Sequence, residues 1–151
     1  MKRLLVVYGE GGHASEASNF MSEMRRYSDV KIYTCSSLPN SDFIFSEMRE
    51  KYNNFSLLKG FIENIKKINE LIGFYKSLGI THVVSLGPGI SVVPIFVAKS
   101  LSIKTAHIET SCRFESKSLT GKVLYPIVDT FYVQNEELLS IYKKGIWIGR
   151  L

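Results

Sequence analysis

Short apolar runs alternate along the chain with longer segments of helical periodicity. The short runs are nearly continuous and rich in β-branched residues, which is typical of strands buried on both faces of a parallel sheet. Several of them end in turns that contain glycine. We predict strands at residues 4–8, 30–34, 81–86, 104–109, 130–133 and 145–148.

Helical segments separate these strands. After the first strand, Ala14, Ala17, Met21 and Met24 recur at the spacing of one helix face. A second apolar stripe covers residues 61–75. Further helices are predicted at residues 92–100, 119–125 and 135–142. Residues 36–54 are polar and aromatic, and we expect a long loop with a short helix there.

The regular alternation of strands and helices predicts an α/β fold, a Rossmann-like parallel sheet with helices on both faces. We expect residues 1–151 to form one domain, because no linker or repeat divides them. Sheets of this kind bind ligands at the carboxyl ends of their strands. Three loops of unusual composition fall there, at residues 9–13, 87–89 and 109–115.

Composition adds little to this picture. The net charge of +5 admits a phosphate-bearing partner without requiring one, and we expect no nucleic acid. Cys35 and Cys112 have no metal-ligand spacing, and the three histidines are isolated from one another, so we expect no metal and no cofactor. The apolar run at residues 4–8 is too short for a signal peptide or a spanning helix, so we expect a cytoplasmic protein whose membrane contact is peripheral.

The first of the three loops contains Gly11, Gly12 and His13. Glycine lets a backbone approach a ligand closely, and the N–H groups at a helix start attract anions, so the loop suits a diphosphate. A plain tight turn is the alternative. His13 could serve as a general base, or could simply hydrogen-bond at the helix start.

A dinucleotide loop needs an acidic residue after the second strand to hold the ribose. That strand instead runs into Cys35, Ser36 and Ser37. A Walker A motif is also absent. Nicotinamide cofactors and P-loop nucleotide hydrolysis are therefore disfavoured.

The other two loops offer a second anion site and a carboxylate. Gly87, Pro88 and Gly89 form a turn into a helix start, which could bind an anion or could be structural only. Glu109 ends a strand, where it could accept hydrogen bonds from sugar hydroxyls or cap the following loop. Lysines beside the stripe at residues 61–75 could face an anionic membrane, although a core helix is the stronger interpretation.

Together these motifs resemble the Alg14-like family, whose bacterial members include the CpsF, PssD and EpsE types of polysaccharide synthesis. The resemblance covers nearly the whole chain and is weakest in residues 36–60. Its most specific part lies between Glu109 and Asp129. The matching segments are residues 11–13, 87–89, 107–113, 118–129 and 133–149.

The resemblance implies one half of a split GT-B glycosyltransferase. This half resembles the N-terminal acceptor domain of MurG-like enzymes, and a separate subunit would bind the UDP-sugar. It implies that Gly11, Gly12, His13 and the turn at residues 87–89 lie near the acceptor diphosphate with Arg113. It also implies two catalytic residues, His13 as candidate base and Glu109 near the sugar cleft.

The implied function is an accessory subunit that is inactive or weak alone. With its partner it would transfer a hexosyl or N-acetylglucosaminyl group to a polyprenyl-diphosphate-linked glycan, at the inner face of the cell membrane. Glu10 departs from the small or hydroxyl residue usual in the family, and a carboxylate there would repel a diphosphate. The chain starts without the membrane anchor of the eukaryotic members, which favours a bacterial type. A non-catalytic adaptor is the main alternative, and a stand-alone nucleotide-binding Rossmann enzyme is less favoured.

Overall fold

The computed structural model describes residues 1–46 and 62–151. Within these residues, one sheet of seven strands forms the centre of the molecule. Its strands are β1 (Lys2–Val7), β2 (Val30–Ser36), β3 (Phe43–Ile44), β4 (His82–Ser85), β5 (Lys104–Ile108), β6 (Thr130–Val133) and β7 (Gly145–Trp147). All six strands predicted from the apolar runs are present.

Every strand pair is parallel, and the order across the sheet is β3-β2-β1-β4-β5-β6-β7. The chain therefore leaves β1 in one direction to build β2 and β3, and returns to the other side of β1 to build the rest. β1 pairs with both halves, with Leu4 opposite Ile32 on β2 and His82 on β4. The gap between β1 and β4 is the switch point at which such sheets bind ligands.

Helices cover both faces of the sheet, as predicted. They are α1 (Gly12–Met24), α2 (Ile68–Leu78), α3 (Val92–Ser100) and α4 (Leu119–Leu124). Leu4 and Val6 point to the face that carries α1, whereas Leu5 and Val7 point to the face that carries α2 and α3. Alternate side chains of β1 thus pack into two separate hydrophobic cores.

The structure corrects two helix predictions. The helix expected at residues 135–142 is a 3₁₀ helix, Glu136–Ser140, because Asn135 before it is extended and tied by its side chain to the loop after β5. The stripe at residues 61–75 is interrupted: residues 62–66 are helical, Lys67 breaks the helix, and α2 follows. Phe61 lies outside the described residues.

From Ile68 onwards the apolar stripe packs into the core, as the stronger interpretation predicts, whereas Ile62 and Ile65 are exposed. Leu71 and Tyr75 are buried against the sheet, and Lys67 donates to the carbonyl oxygen of Ile44 at 2.9 Å. Within residues 36–54, where we expect a long loop with a short helix, the structure has the strand β3, which the sequence did not predict; residues 47–54 lie outside the described residues.

One face of the sheet is only partly covered. Beside α1, a groove of about 630 Å³ runs over β4, β5 and β6. Its floor and walls are mostly apolar and include Phe20, Val84, Ala106, Ile108 and Tyr132. Among residues 1–46 and 62–151, no helix has both the length and the apolar character needed to cross a membrane.

Candidate functional site

Three loops converge at the carboxyl ends of β1, β4 and β5, as the sequence predicted. The first joins β1 to α1 and leads directly to His13, the second follows β4 and holds Gly87, and the third runs from Glu109 to Ser118. Backbone hydrogen bonds continue past the strands, from Leu86 N–H to the oxygen of Val7 at 2.9 Å. The loops are therefore anchored on neighbouring strands and brought together by the sheet itself.

His13 lies in the first turn of α1, with 28% of its side chain exposed. Its Nδ1 atom is buried and has no hydrogen-bond partner among the described residues. The nearest charge is Glu16, whose Oε2 lies 3.9 Å from Nδ1, too far for a hydrogen bond. Because Nδ1 is buried while the side chain is partly exposed, Nε2 is the ring nitrogen that is left to meet a ligand.

Gly87 packs directly against the imidazole of His13. A Cβ atom on Gly87 would lie 3.0 Å from Cε1 of that ring, and the residue has a φ of +58°. Both facts require glycine here, because a side chain would push against the ring and would strain the backbone. The second glycine turn thus helps to hold His13 in place.

Glu16 is a site residue that sequence reasoning missed. It is buried, and its Oε1 accepts hydrogen bonds from the hydroxyl of Thr110 at 3.2 Å and from the N–H and hydroxyl of Ser111 at 2.9 and 2.6 Å. The same carboxylate faces His13, one helical turn earlier. A glutamate three residues after the histidine was the available signal, since residues at i and i+3 share a helix face.

Glu109 is buried beneath the third loop, with 1% of its surface exposed. Its Oε2 accepts from the hydroxyl of Tyr142 at 2.7 Å and from the hydroxyl of Ser118 at 2.9 Å, and its Oε1 accepts from the N–H of Thr110 at 3.1 Å. We call these four residues the Glu109 cluster. The carboxylate of Glu109 is occupied by its own chain at both oxygens.

The Glu109 cluster also fixes the start of α4. Ser118 is the N-cap of this helix, and its hydroxyl accepts from the N–H of Gly121 at 2.8 Å. Gly121 passes so close to Glu109 and Tyr142 that a Cβ atom there would overlap both side chains. Glycine at position 121 is therefore required by close approach.

A second layer supports the third loop from β6. Asn135 donates to the carbonyl oxygens of Ser111 and Arg113 at 2.7 and 2.6 Å, and Gln134 donates to that of Glu109 at 3.0 Å. Arg150 donates to Asn135 at 3.2 Å. The sequence did not indicate these residues as a group, because their contacts are long-range.

The remaining predicted site residues line the outer surface of the site. Gly11 and Gly12 are exposed, Pro88 and Gly89 are half-buried, and Arg113 is exposed. Arg113 donates to the hydroxyl of Ser116 at 3.1 Å. Among the described residues, no hydrogen bond joins any of them to His13.

Glu10 points away from the centre of this arrangement. Its carboxylate accepts from the hydroxyl of Ser37, beyond β2, at 2.9 Å. In the part of the chain that the structure describes, no three histidine, cysteine, aspartate or glutamate side chains are grouped as a metal site would need.

Comparison with known proteins gives this arrangement a context. A family model described as "Oligosaccharide biosynthesis protein Alg14 like" matches residues 55–151. A protein of Schizosaccharomyces pombe, named UDP-N-acetylglucosamine transferase subunit alg14, is 32% identical over an alignment of 179 positions, which covers 98% of this chain and 82% of that protein.

Two solved structures are similar in fold. An S. aureus MnaA–UDP co-structure matches 99% of this chain and 44% of its own, with a TM-score of 0.74 and 10% identity. MurG of Acinetobacter baumannii matches 88% of this chain and 41% of its own, with a TM-score of 0.65 and 14% identity. The chain thus spans less than half of either structure. At these low identities the matches show similarity of fold alone. The family model and the relative in S. pombe show that this chain belongs to the Alg14-like family of oligosaccharide biosynthesis proteins.

Proposed function

We propose that this chain is the acceptor-binding subunit of a two-component glycosyltransferase. Its relative in S. pombe is named a UDP-N-acetylglucosamine transferase subunit, so UDP-N-acetylglucosamine is the donor we expect. The observation that carries the proposal is the convergence of three loops around His13 at the switch point of the sheet. Residues 1–151 would act as one acceptor-binding domain.

The proposal of a partner is supported by the extent of the structural match. This chain matches only 41% of the MurG chain, and the matching part is a sheet with one ligand-binding edge. A second, UDP-sugar-binding subunit would supply the other wall of the cleft. The open apolar groove beside α1 supports a subunit that functions in a pair.

The reaction we propose is a direct displacement at the anomeric carbon of the donor sugar. A hydroxyl oxygen of the lipid-linked acceptor forms the new bond, and the bond from the anomeric carbon to UDP breaks. His13 accepts the hydroxyl proton, and the departing UDP carries the negative charge. The partner would hold UDP, while this chain orients the acceptor, which alone contributes substantially to rate.

The exposed loops would hold the acceptor diphosphate. Gly11 and Gly12 at the start of α1, and Gly89 in the turn at residues 87–89, offer backbone N–H groups, while Arg113 offers an exposed cation. The tie between Glu10 and Ser37 reduces its conflict with such an anion. Glu109, being buried, would position the third loop under the sugar.

We further propose contact with the inner face of a membrane, in a bacterial-type member that acts in polysaccharide synthesis. A lipid-linked acceptor requires the site to approach the bilayer. Ile62 and Ile65 are exposed next to Lys66, a combination that favours an anionic lipid surface.

The test is to co-purify the chain with the transferase subunit encoded beside it. The pair is assayed with UDP-N-acetylglucosamine and a synthetic polyprenyl-diphosphate-linked sugar, and is sedimented with anionic vesicles. We expect activity in the pair that greatly exceeds either chain alone. His13→Ala should lower kcat by about 10²–10⁴-fold, whereas Tyr27→Ala, which removes an exposed ring near the far end of α1, should not.

Other outcomes point to the alternatives. A loss below about tenfold for His13→Ala would remove its role as base. Normal turnover after combined substitution of His13 and Glu109 would favour a non-catalytic adaptor. No complex and no stimulation would overturn the proposal, and saturable binding of a free nucleotide by the isolated chain would favour a stand-alone enzyme.

A further inference from the structure

Resting on the proposed function, we infer that Glu16 is a positioning residue that sets which ring nitrogen of His13 is free to accept the proton. The inference starts from the geometry of one carboxylate between two elements. Its Oε1 takes three hydrogen bonds from Thr110 and Ser111, whereas its Oε2 faces His13 Nδ1 at 3.9 Å. No hydrogen bond among the described residues ends on that second oxygen.

A buried ring nitrogen and a carboxylate oxygen face each other across a short gap. His13 Nδ1 is buried without a hydrogen-bond partner among the described residues, and Glu16 Oε2 is the carboxylate oxygen that faces it at 3.9 Å. Both residues are held, His13 by Gly87 and Glu16 by Ser111. A shift of about 1 Å would close the gap to a hydrogen bond. Catalytic hydrogen bonds are often long in ligand-free structures and tighten when the substrate binds.

The chemical consequence concerns the tautomer. A hydrogen bond from Nδ1–H to a carboxylate leaves the lone pair on Nε2, since the partner of one ring nitrogen determines the state of the other. Nε2 is then the atom that takes the proton from the acceptor hydroxyl. Once the ring is protonated, the carboxylate of Glu16 stabilises the imidazolium.

Glu16 also connects chemistry to the third loop. The donors that fix its Oε1 lie at residues 110 and 111, directly after the buried Glu109. The orientation of the base therefore depends on the same loop that we expect beneath the sugar. A loop displaced from the site would release the carboxylate and leave His13 without its partner.

Glu16→Gln separates this role from a purely structural one. The amide oxygen can keep the place of Oε1 and accept from Ser111, which turns the amide NH₂ towards His13. An NH₂ group donates to Nδ1 and thereby requires the proton to sit on Nε2, so the base is blocked. The loop contact survives while the tautomer is reversed.

The experiment uses the assembled pair with the donor and acceptor named above. We expect Glu16→Gln to lower kcat by about 10- to 100-fold, with the acceptor KM changed less than about threefold. In a His13→Gln background, Glu16→Gln should cost less than about threefold further, because the two residues act as one unit. Glu23→Gln, an exposed glutamate on the same helix paired with Arg26, is the matched control and should behave as the unsubstituted chain.

Each other outcome overturns the inference. Equal losses of kcat in both backgrounds, or a loss confined to KM, would mean that Glu16 only supports the loop. A small effect of His13→Gln would leave no base to position, although an active pair would still support the proposed function. Should Glu16→Gln fail to fold, Glu16→Asp keeps the charge, and its additivity with His13→Gln decides the matter.

Discussion

At the scale of single residues, burial determines the state of His107. It lies on β5 with 1% of its surface exposed, its Nδ1 2.9 Å from the hydroxyl of Ser85 and its ring 5.0 Å from that of Phe131. Burial lowers the pKa of His107 to about 4, with the charge of Glu109 acting in the opposite direction. The ring is therefore neutral in the folded protein at pH 7.

This burial predicts a loss of stability in acid. The unfolded ring binds a proton below its ordinary pKa of 6.5, whereas the folded ring does so only near 4, so the free energy of unfolding should fall as pH decreases through that window. The full effect is about 3 kcal/mol. Urea unfolding at several pH values should show a flatter profile for His107→Gln. An unchanged slope in that variant would assign the acid sensitivity to other groups.

At the scale of elements, the sequence predicted what local periodicity encodes. The six main strands, α1 and α3 follow from apolar spacing, and the three-loop site follows from where those strands end. β3 was missed because contacts with residues outside the strand hold it in place. Before it, Asp42 accepts hydrogen bonds from the N–H and hydroxyl of Thr34. After it, Asn64 accepts from the N–H of Ser46 and donates to its carbonyl oxygen. Such contacts leave no periodic trace in the sequence.

The same limit applies to the candidate site. His13, Gly87 and Glu109 were found because each follows a strand. The sequence could not show that Glu109 would be enclosed by Ser118 and Tyr142, which are 9 and 33 residues away. From sequence alone, a carboxylate at the end of a strand is equally consistent with binding a substrate and with holding the following loop. Only its contacts in the folded protein distinguish the two.

The Glu109 cluster predicts coupled effects on stability. Tyr142→Phe removes one hydrogen bond to a buried carboxylate and should lower the free energy of unfolding by about 1.5–3 kcal/mol. Glu109→Gln should lower the free energy of unfolding by a similar or larger amount. In both variants the activity of the pair should fall in proportion to the loss of stability. Thermal unfolding and turnover are measured on the same preparations. A Glu109→Gln variant that loses turnover without losing stability would make Glu109 a substrate contact instead.

At the scale of the whole molecule, the sheet is unevenly covered. The face above β1 and β2 carries α1, whereas the same face over β4, β5 and β6 is open as an apolar groove of about 630 Å³. The opposite face is closed by α2 and α3. An open apolar surface of this kind costs free energy in water and favours association. We expect the proposed partner subunit to cover this groove.

The open groove predicts where a substitution should weaken association with the partner. Ala106 is half-buried in the groove, so Ala106→Arg should leave the isolated chain folded, with a melting temperature within about 3 °C of the unsubstituted chain. Its association with the partner should weaken at least tenfold, about 1.4 kcal/mol. Phe96→Arg adds the same charge to an exposed ring of α3, on the closed face, and should leave association intact. Titration by fluorescence anisotropy compares the two variants, and equal affinities would place the partner on another surface.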